Sequence, residues 1–460
     1  MAILQLIAAV CVGTVAYFLY NLFKHRNATR VRAHSFSSDS STRRTHDSDY
    51  TSVFPPSQRH VLGELLDTDV KEPSRPLTTE SLVKMDADYR HADPASRIFS
   101  GFTVGEVKAL GNFPDYAKLS GVPGPSPLKG FDVDSASPRP YRPFRWAYHQ
   151  TMSFQKLDPD YWIELESTYR ERIVQRRELY AQHGSDVLQA LPGSELACKE
   201  LMEMVLQYIC ARYPDSFRVD NNVLYNNILG TSTDLEKVHP LHVLLHNVPE
   251  DFAITLRNEK TGRYHFRAGV VLSTLGWKLS QKIGLELSGI HAPVPSYKEK
   301  MAFSMDRFFT RMPAPSPIQR GSWGLEIGQP LFLPTDHADW SHRDSQNPSL
   351  RPDDLFLRVD WQTLRRLPLS GGIVFNFKAL FTPLTQFQHE PYVPLLVLKI
   401  LSEGEEGIMR YKGTWHVEHI ARPALEEYAR AQLERGLVEK DWTERTLDEY
   451  PFFPGYNGGS

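Results

Sequence analysis

Residues 253–272, AITLRNEKTGRYHFRAGVVL, decide the fold class of this 460-residue chain. Two runs rich in β-branched and aromatic residues flank a turn at Lys260-Thr-Gly, a pattern typical of a β-hairpin. Farther along the chain, residues 372–381, GIVFNFKALF, have the same character and predict another strand. The sequence therefore predicts a β-sheet built around this hairpin.

Apolar residues at helical spacing predict helices on both sides of the hairpin. Two of these helices precede it, one from Asp158 to Leu179 and one from Ser194 to Tyr213. Two more, over residues 277–287 and 297–311, separate the hairpin from the later strand. Helices followed by strands, helices and strands predict an α+β fold rather than a regular alternation of strand and helix.

Composition limits the classes of function. A hydrophobic content of 41% with 11% aromatic residues is typical of a globular protein with a substantial core. The net charge of −3 provides no basic field for nucleic acid. Three cysteines are too few for a disulfide framework, a four-cysteine zinc site or a self-contained iron–sulfur cluster. Any redox cofactor must be held by other side chains.

The N-terminal stretch 1–23, MAILQLIAAVCVGTVAYFLYNLF, contains no Asp, Glu, Lys or Arg. It is long enough to span a bilayer, which takes about 20 apolar residues. It has no basic start and exceeds the apolar core of a signal peptide, so an uncleaved anchor is favoured over a cleaved signal. Basic residues, among them Lys24 and Arg26, follow directly, and such flanks stay on the cytosolic side. The sequence predicts a single-pass membrane protein with its body in the cytosol.

Three regions follow from these patterns. Residues 1–24 are predicted to form a transmembrane anchor. Residues 25–75 are rich in Ser, Thr, Asp, Arg and Pro, and such a composition cannot bury enough apolar surface to fold, so they are predicted to form a disordered polar tether. Residues 76–460 are predicted to form the functional domain.

A row of histidines is the first candidate metal site. His239, His242 and His246 lie at positions i, i+3 and i+7, on one face if this segment is a helix with Pro240 in its first turn. Such spacing could ligate zinc or orient a cofactor. The alternative is that they are partly buried helix residues with local hydrogen bonds.

His291 and Glu250 are the other candidates for chemistry. His291 lies in Gly289-Ile-His-Ala-Pro-Val-Pro, where prolines and a glycine fix the backbone as the position of a metal ligand requires. The alternative role of His291 is to cap the last carbonyls of a helix. Glu250 with Asp251 forms a possible acid/base pair or a solvated turn.

Familiar catalytic motifs are few. The sequence contains no GxGxxG, Walker loop, GxSxG or HExxH. Asp86-Ala-Asp and Asp132-Val-Asp match the metal-binding DxD of membrane-anchored glycosyltransferases, which would place the body in the lumen. Two acids at that spacing also arise easily by chance.

Short motifs along the body resemble a known family when they are taken together. They are YRPFR (141–145), LDPDYW (157–162), RYP (212–214), HPL (239–241), ED (250–251), WKLSQKIG (277–284), IHAPVP (290–295), DRFF (306–309) and QTLRRLP (362–368). In this order they resemble the α-subunit family of haem-dependent oxidative N-demethylase, from about residue 100 to 420. The resemblance implies a PAS-like haem-binding core with additional helices. In that core a b-type haem binds O2 and a small secondary amine loses a methyl group as formaldehyde.

The resemblance also implies roles for particular residues. His291 is the expected axial ligand, with His239 and His242 as alternatives, because haem iron needs a neutral imidazole. Trp277, Tyr264 and Phe308 are implied to form the wall of the haem pocket. Arg307 or Arg320 is implied to bind the haem propionates. Glu250 is implied to bind the ammonium group of the substrate or to relay protons.

Electrons for oxygen activation need a separate source. The sequence carries no flavin or iron–sulfur motif, so a partner reductase is expected to supply them, and the anchor would bring the domain to this donor. Two alternatives stay open, since a fold alone does not determine function. One is a PAS-type ligand or haem sensor without turnover, and the other is the membrane-anchored glycosyltransferase.

Overall fold

The computed structural model describes residues 59–69, 78–148 and 153–456. The strands are β1 (Gln155–Lys156), β2 (Leu188–Ala190), β3 (Phe217–Asp220), β4 (Val223–Asn226), β5 (Thr231–Asp234), β6 (Asp251–Arg257), β7 (Tyr264–Val270), β8 (Ile318–Ile327), β9 (Leu355–Arg366) and β10 (Ile373–Pro383). The helices are α1 (Arg59–Leu66), α2 (Val104–Ala109), α3 (Tyr116–Ser120), α4 (Tyr169–His183), α5 (Glu195–Arg212), α6 (Pro240–Asn247), α7 (Leu279–Lys282), α8 (Leu287–Ile290), α9 (Tyr297–Lys300), α10 (Ala302–Arg311), α11 (Val393–Glu403), α12 (Glu406–Lys412) and α13 (Trp415–Glu434). Short 3-10 turns occupy Thr79–Ser81, Tyr89–His91, Pro159–Tyr161, Gly184–Asp186, Ala338–Asp344, Pro352–Asp354 and Leu384–His389.

The predicted hairpin is confirmed as β6 and β7, which pair antiparallel with Phe252 opposite Val270. The side chain of Asn258 accepts hydrogen bonds from the backbone N–H groups of Lys260 and Thr261, at 2.9 and 3.0 Å. Gly262 then takes a φ of +70°, which a glycine adopts without strain. The turn chemistry read from the sequence therefore closes the hairpin.

Seven strands form one antiparallel sheet in the order β1-β8-β9-β10-β6-β7-β2. Strands β3, β4 and β5 form a separate antiparallel sheet. The predicted strand at residues 372–381 is confirmed as β10, which lies between β9 and β6. The mixture of antiparallel sheets with helices confirms the α+β fold.

The two faces of the seven-stranded sheet differ in what covers them. Side chains alternate along β9, so Val359 and Trp361 point to one face and Asp360 and Gln362 to the other. The first face, the core face, packs into the main core with α5, α6, α11 and α13. The second, the open face, is covered over β6, β7 and β10 by a smaller apolar cluster that includes Leu279 and Phe377. It leaves Asp360 and Gln362 of β9 partly exposed. A partly exposed stretch of sheet beside apolar side chains is a place where a ligand can lie.

Several predicted helices differ from the observed ones. Asp158 caps only the 3-10 turn Pro159–Tyr161, and α4 begins eleven residues later, at Tyr169. The predicted helix over residues 277–287 ends early because Gly284 takes a φ of +84°. The predicted helix over residues 297–311 breaks at Met301 into α9 and α10. The helix expected at residues 194–213 is confirmed as α5.

The predicted anchor, residues 1–24, lies outside the described residues. Within the described ranges, no helix is both long and apolar enough to cross a membrane. Part of the predicted tether is described, and there α1 places Leu62 in the main core with no exposed surface.

Candidate functional site

Helices α8, α9 and α10 pack against the edge of the open face. Their apolar side chains share a cluster with Tyr264, Leu364 and Ile373 of the sheet. The members contributed by the helical segment are Leu287, Ile290, Val294, Tyr297, Met301, Ala302, Met305, Phe308, Phe309 and Met312. We call the open face together with these helices the groove, with the helices as its wall and the sheet as its floor.

His291 follows α8 on this wall. Its Nδ1 lies 2.8 Å from the carbonyl oxygen of Leu287, and its ring stacks on Tyr297 with centroids 4.9 Å apart and planes within 8°. A carbonyl oxygen only accepts, so Nδ1 carries the hydrogen and Nε2 keeps its lone pair. The hydrogen bond by which His291 caps helix α8 therefore also leaves Nε2 free to bind a metal ion.

Burial, with smaller contributions from the charges of Lys282 and Arg320, lowers the pKa of His291 to about 4, although the hydrogen bond with Leu287 acts to raise it. The imidazole is therefore neutral at pH 7. A neutral imidazole, held by a hydrogen bond at one nitrogen and with a lone pair on the other, is what a metal ion requires of a histidine ligand.

Arg320 projects from the floor of the groove. It lies opposite Gln362, and Gln362 lies opposite Phe377, so the three side chains share the open face. Arg320 is only half-buried, yet burial lowers the pKa of its guanidinium. Its Nε is buried without a hydrogen-bond partner, and within the described residues Arg320 forms no ion pair. A desolvated guanidinium of this kind attracts an anion.

Two more cations lie near Arg320. The charge of Arg145 lowers the pKa of Arg320. Burial, together with the charges of Arg320 and Arg145, lowers the pKa of Lys412 to about 7, while Asp360 acts to raise it. Lys412 Nζ donates to the carbonyl oxygen of Trp323 at 2.7 Å. Asp360 itself accepts from Arg358 Nε at 3.0 Å. We call Arg145, Arg320 and Lys412 the cationic cluster.

Three tyrosines lie near this cluster. Burial raises the pKa of Tyr148 to about 12, while the charges of Arg145 and Arg320 oppose the rise. Tyr411 and Tyr450 lie close enough to act on the pKa of Arg320. Neutral phenol groups donate hydrogen bonds, so the cluster offers both cations and hydroxyl donors to an anion.

The predicted wall residues lie around the groove in different roles. Trp277 is half-buried, and the Lys282 ammonium lies 4.2 Å from its ring centroid. Phe308 is half-buried and packs on Phe154 with ring centroids 4.5 Å apart. Tyr264 is almost fully buried, and its hydroxyl accepts from Arg366 at 2.9 Å. Tyr264 thus supports the sheet and α10 rather than facing a ligand.

Arg307, the other predicted propionate residue, is exposed on α10. It is not among the cations whose charges act on the pKa of His291. Of the two predicted arginines, the structure brings only Arg320 to the groove.

Glu250 lies on the other side of the sheet from His291. It is fully buried beside Lys378, whose neighbour on the core face is Trp361. Oε1 accepts from the backbone N–H of Glu164 at 3.0 Å, and Oε2 is buried without a partner. Burial raises the pKa of Glu250 to about 7. The structure therefore does not bring Glu250 together with His291.

The histidine row of α6 also belongs to the core side. Leu241 and Leu244 of α6 share the main core with Phe252 and Ile254. His239 Nδ1 accepts from the backbone N–H of Leu241 at 3.2 Å. His242 Nε2 lies 3.4 Å from the hydroxyl of Tyr180, and Nδ1 of His246 is buried without a partner. These are local contacts at a helix start and against α4.

Neither DxD motif is arranged around a metal ion. Asp88 pairs with Arg90 at 2.7 Å, and Asp134 pairs with Arg170 at 3.2 Å. In the described part of the chain, no group of three or more His, Cys, Asp or Glu side chains could hold a metal. Haem iron needs only one protein nitrogen, so this finding leaves His291 as a candidate.

Comparison with protein families identifies the domain. The family model described as haem-dependent oxidative N-demethylase, alpha subunit-like, matches residues 153–422, more than half of the chain. The chain belongs to this family. The match includes His291, Arg320 and Lys412, and the family resemblance predicted from the sequence motifs is confirmed.

The groove of this haem-dependent family member fits the group that the family description names. His291 offers a neutral nitrogen, the half-exposed rings of Phe375 and Phe308 offer apolar surface, and Arg320 offers a guanidinium without an anion. A haem has the same three parts: a metal, an apolar ring and carboxylates. Sequence reasoning missed Arg145 and Lys412 as site residues. Arg145 lies in the YRPFR motif, whereas no pattern in the sequence singles out Lys412.

Proposed function

We propose that the domain binds a b-type haem on the open face of the seven-stranded sheet, within a PAS-like core. His291 Nε2 would ligate the iron, and the cationic cluster would hold the propionates. The observation that carries this proposal is the His291 imidazole, which is neutral and held through Nδ1 by the Leu287 carbonyl. The antiparallel sheet with helices along the edge of its open face supports the PAS-like assignment.

We further propose that the reaction is oxidative N-demethylation of a small secondary amine. When bound, the haem supplies oxygen chemistry. The methyl carbon leaves as formaldehyde with one oxygen atom of O2, and the other atom is reduced to water by two electrons and two protons. The chain's own residues would fix the haem, and Phe375 and Phe308 would keep water from it.

The electrons would come from a partner reductase. The chain's three cysteines cannot hold an iron–sulfur cluster, and in the described residues Cys198 and Cys210 are free thiols. The N-terminal segment supports a location for this partnership: residues 1–23 would anchor the chain as a single-pass membrane protein, with the domain on the cytosolic side.

A haem sensor without turnover is the second candidate. The specific observation in its favour is the position of Glu250, which the sheet separates from His291. Glu250, the residue predicted to relay protons, therefore lies away from the groove. A sensor would need the same haem ligand but no proton relay, so this placement is consistent with a sensor.

The first experiment is an absorption spectrum of the full chain purified with haem supplied. We expect a Soret band that is lost or shifted in His291→Ala. His242→Ala, on the core side, is the matched control and should leave the band unchanged. A colourless protein, or an unchanged band in His291→Ala, would contradict the proposed ligand.

The second experiment separates enzyme from sensor. Formaldehyde is measured after the haem-loaded chain receives a chemical reductant, O2 and small secondary amines. Formaldehyde in amounts exceeding the protein supports the demethylase. Spectral shifts with amines but no formaldehyde would support the sensor.

A further inference from the structure

Helix α10 has an outer face whose composition is unusual for a solvated surface. Met305 and Phe309 are buried against the sheet, whereas Phe303, Arg307 and Arg311 lie on the opposite, exposed side. Phe303 is 78% exposed, more than any other large hydrophobic residue in the described ranges. A phenylalanine that is this exposed, close to basic residues, suggests a partner that has both apolar and anionic parts.

The neighbouring helix α9 extends this basic surface. Lys298 and Lys300 are exposed, and with Arg307 and Arg311 they form no ion pair with any described residue. One exposed acid, Glu299, accompanies them. We define the basic face as Lys298, Lys300, Phe303, Arg307 and Arg311.

We propose that the basic face docks on an anionic lipid bilayer, with the Phe303 ring inserted between the headgroups. Basic residues interspersed with an aromatic ring are the composition of surfaces that lie in the membrane interface. Lysine and arginine are attracted to the negative potential of the cytosolic leaflet, which is the side that the basic flank of residues 1–23 predicts.

This inference rests on the proposed membrane anchor. About 35 residues separate the apolar stretch from α1. The polar composition of residues 25–58 predicts a tether. A tether of that length is expected to have a root-mean-square reach of roughly 30–35 Å, comparable to the size of a domain. Docking would therefore be intramolecular, and a weak surface contact would suffice to hold the domain at the bilayer.

Docking of the basic face would also place the bilayer next to the helices that carry the candidate haem ligand. Tyr297, the first residue of α9, stacks on His291, so the same helical wall carries the basic face outside and the proposed ligand inside. The bilayer would then cover the outer surface of that wall.

The test uses the full chain mixed with an excess of phosphatidylcholine vesicles, with or without phosphatidylserine. We expect amide hydrogen exchange in residues 297–311 to slow by on the order of threefold or more with phosphatidylserine only. The double variant Phe303→Ala with Arg307→Ala should lose this protection. Trp415→Ala, at a residue that is 56% exposed on α13, is the matched control and should retain it.

Other results would overturn the proposal. One is equal exchange with both kinds of vesicle, and another is protection that persists in the double variant. Protection that rises with protein concentration without vesicles would show that a second copy covers the face. Vesicle flotation in high salt tests the anchor separately, because a chain inserted through residues 1–23 floats whether or not the basic face binds. The excess of vesicles allows docking of the basic face to be measured even if residues 1–23 do not insert.

Discussion

At the scale of single residues, the proposed haem site depends on cations that are partly withdrawn from solvent. Arg320 and Lys412 are half-buried, both have their pKa lowered by burial, and Arg320 lacks a hydrogen bond at Nε. Burying such cations destabilises the protein unless an anion joins them. This is the physical reason to expect that carboxylates of a ligand complete the cluster.

Arg320→Met tests this reasoning. We expect haem affinity to fall by about tenfold or more, because a charge-assisted hydrogen bond contributes roughly 1.5–3 kcal/mol. Titration with haem, followed by absorbance, measures the change. Arg307→Met is the control, since Arg307 is exposed. The haem affinity of this variant should equal that of the unmodified protein. Equal losses in both variants would remove Arg320 from the site.

Glu250 is one of the residues expected to make stability depend on pH, and the buried Glu200 is another. Burial raises its pKa from 4.5 to about 7, so between these values the folded protein holds a proton that the unfolded chain releases. The free energy of unfolding should therefore fall as pH rises through this window, by about 1–3 kcal/mol from this residue.

Glu250→Gln should reduce that dependence, because an amide does not titrate, and Glu200 should account for part of what remains. Urea unfolding at pH 5 and pH 8 measures the difference, and an unchanged pH slope in the variant would show that other groups cause it. Haem affinity should be unaffected by Glu250→Gln, since the sheet lies between Glu250 and His291.

At the scale of elements, one buried side chain joins the end of α10 to the sheet. Arg366 of β9 donates to the carbonyl oxygens of Met312 at 2.6 Å and of Phe309, and to the Tyr264 hydroxyl at 2.9 Å. These carbonyls lie at the C-terminal end of the helix, where a cation is also favoured by the helix dipole. Arg366 therefore holds the wall of the groove in place.

Arg366→Met should destabilise the protein by about 3–5 kcal/mol, because several buried carbonyl groups lose their donor together. Tyr264→Phe, the matched control, removes one acceptor and should lower the unfolding free energy by about 1 kcal/mol. Urea unfolding measures both. Similar losses in the two variants would mean that Arg366 makes no larger contribution than a single hydrogen bond.

At the scale of the whole molecule, membrane attachment is proposed to have two parts, the apolar stretch and the basic face. Removing residues 1–23 should leave a chain that still binds anionic vesicles at low salt and is released at high salt, because surface charges are screened. The full chain should float with vesicles at both salt concentrations. Vesicle flotation at the two salt concentrations measures both chains. Release of the full chain by high salt would contradict the proposal that residues 1–23 insert into the bilayer.

The sequence by itself determined the elements whose cause is local. The hairpin at residues 251–270 follows from alternating side chains and from the turn that Asn258 and Gly262 make. His291 was predicted as a candidate ligand because glycine and prolines flank it in a short segment. The break at Met301 and the late start of α4 were missed, because tertiary packing overrides helical spacing over short segments.

Only the tertiary structure decided which of the candidates lie near one another. Arg145, Arg320 and Lys412 come from distant segments, and packing around the sheet brings them together. Glu250 precedes β6, and the two-residue alternation of strands places it on the core face, away from His291. Spacing along a chain specifies the face of its own element, whereas strand register and packing decide which faces meet.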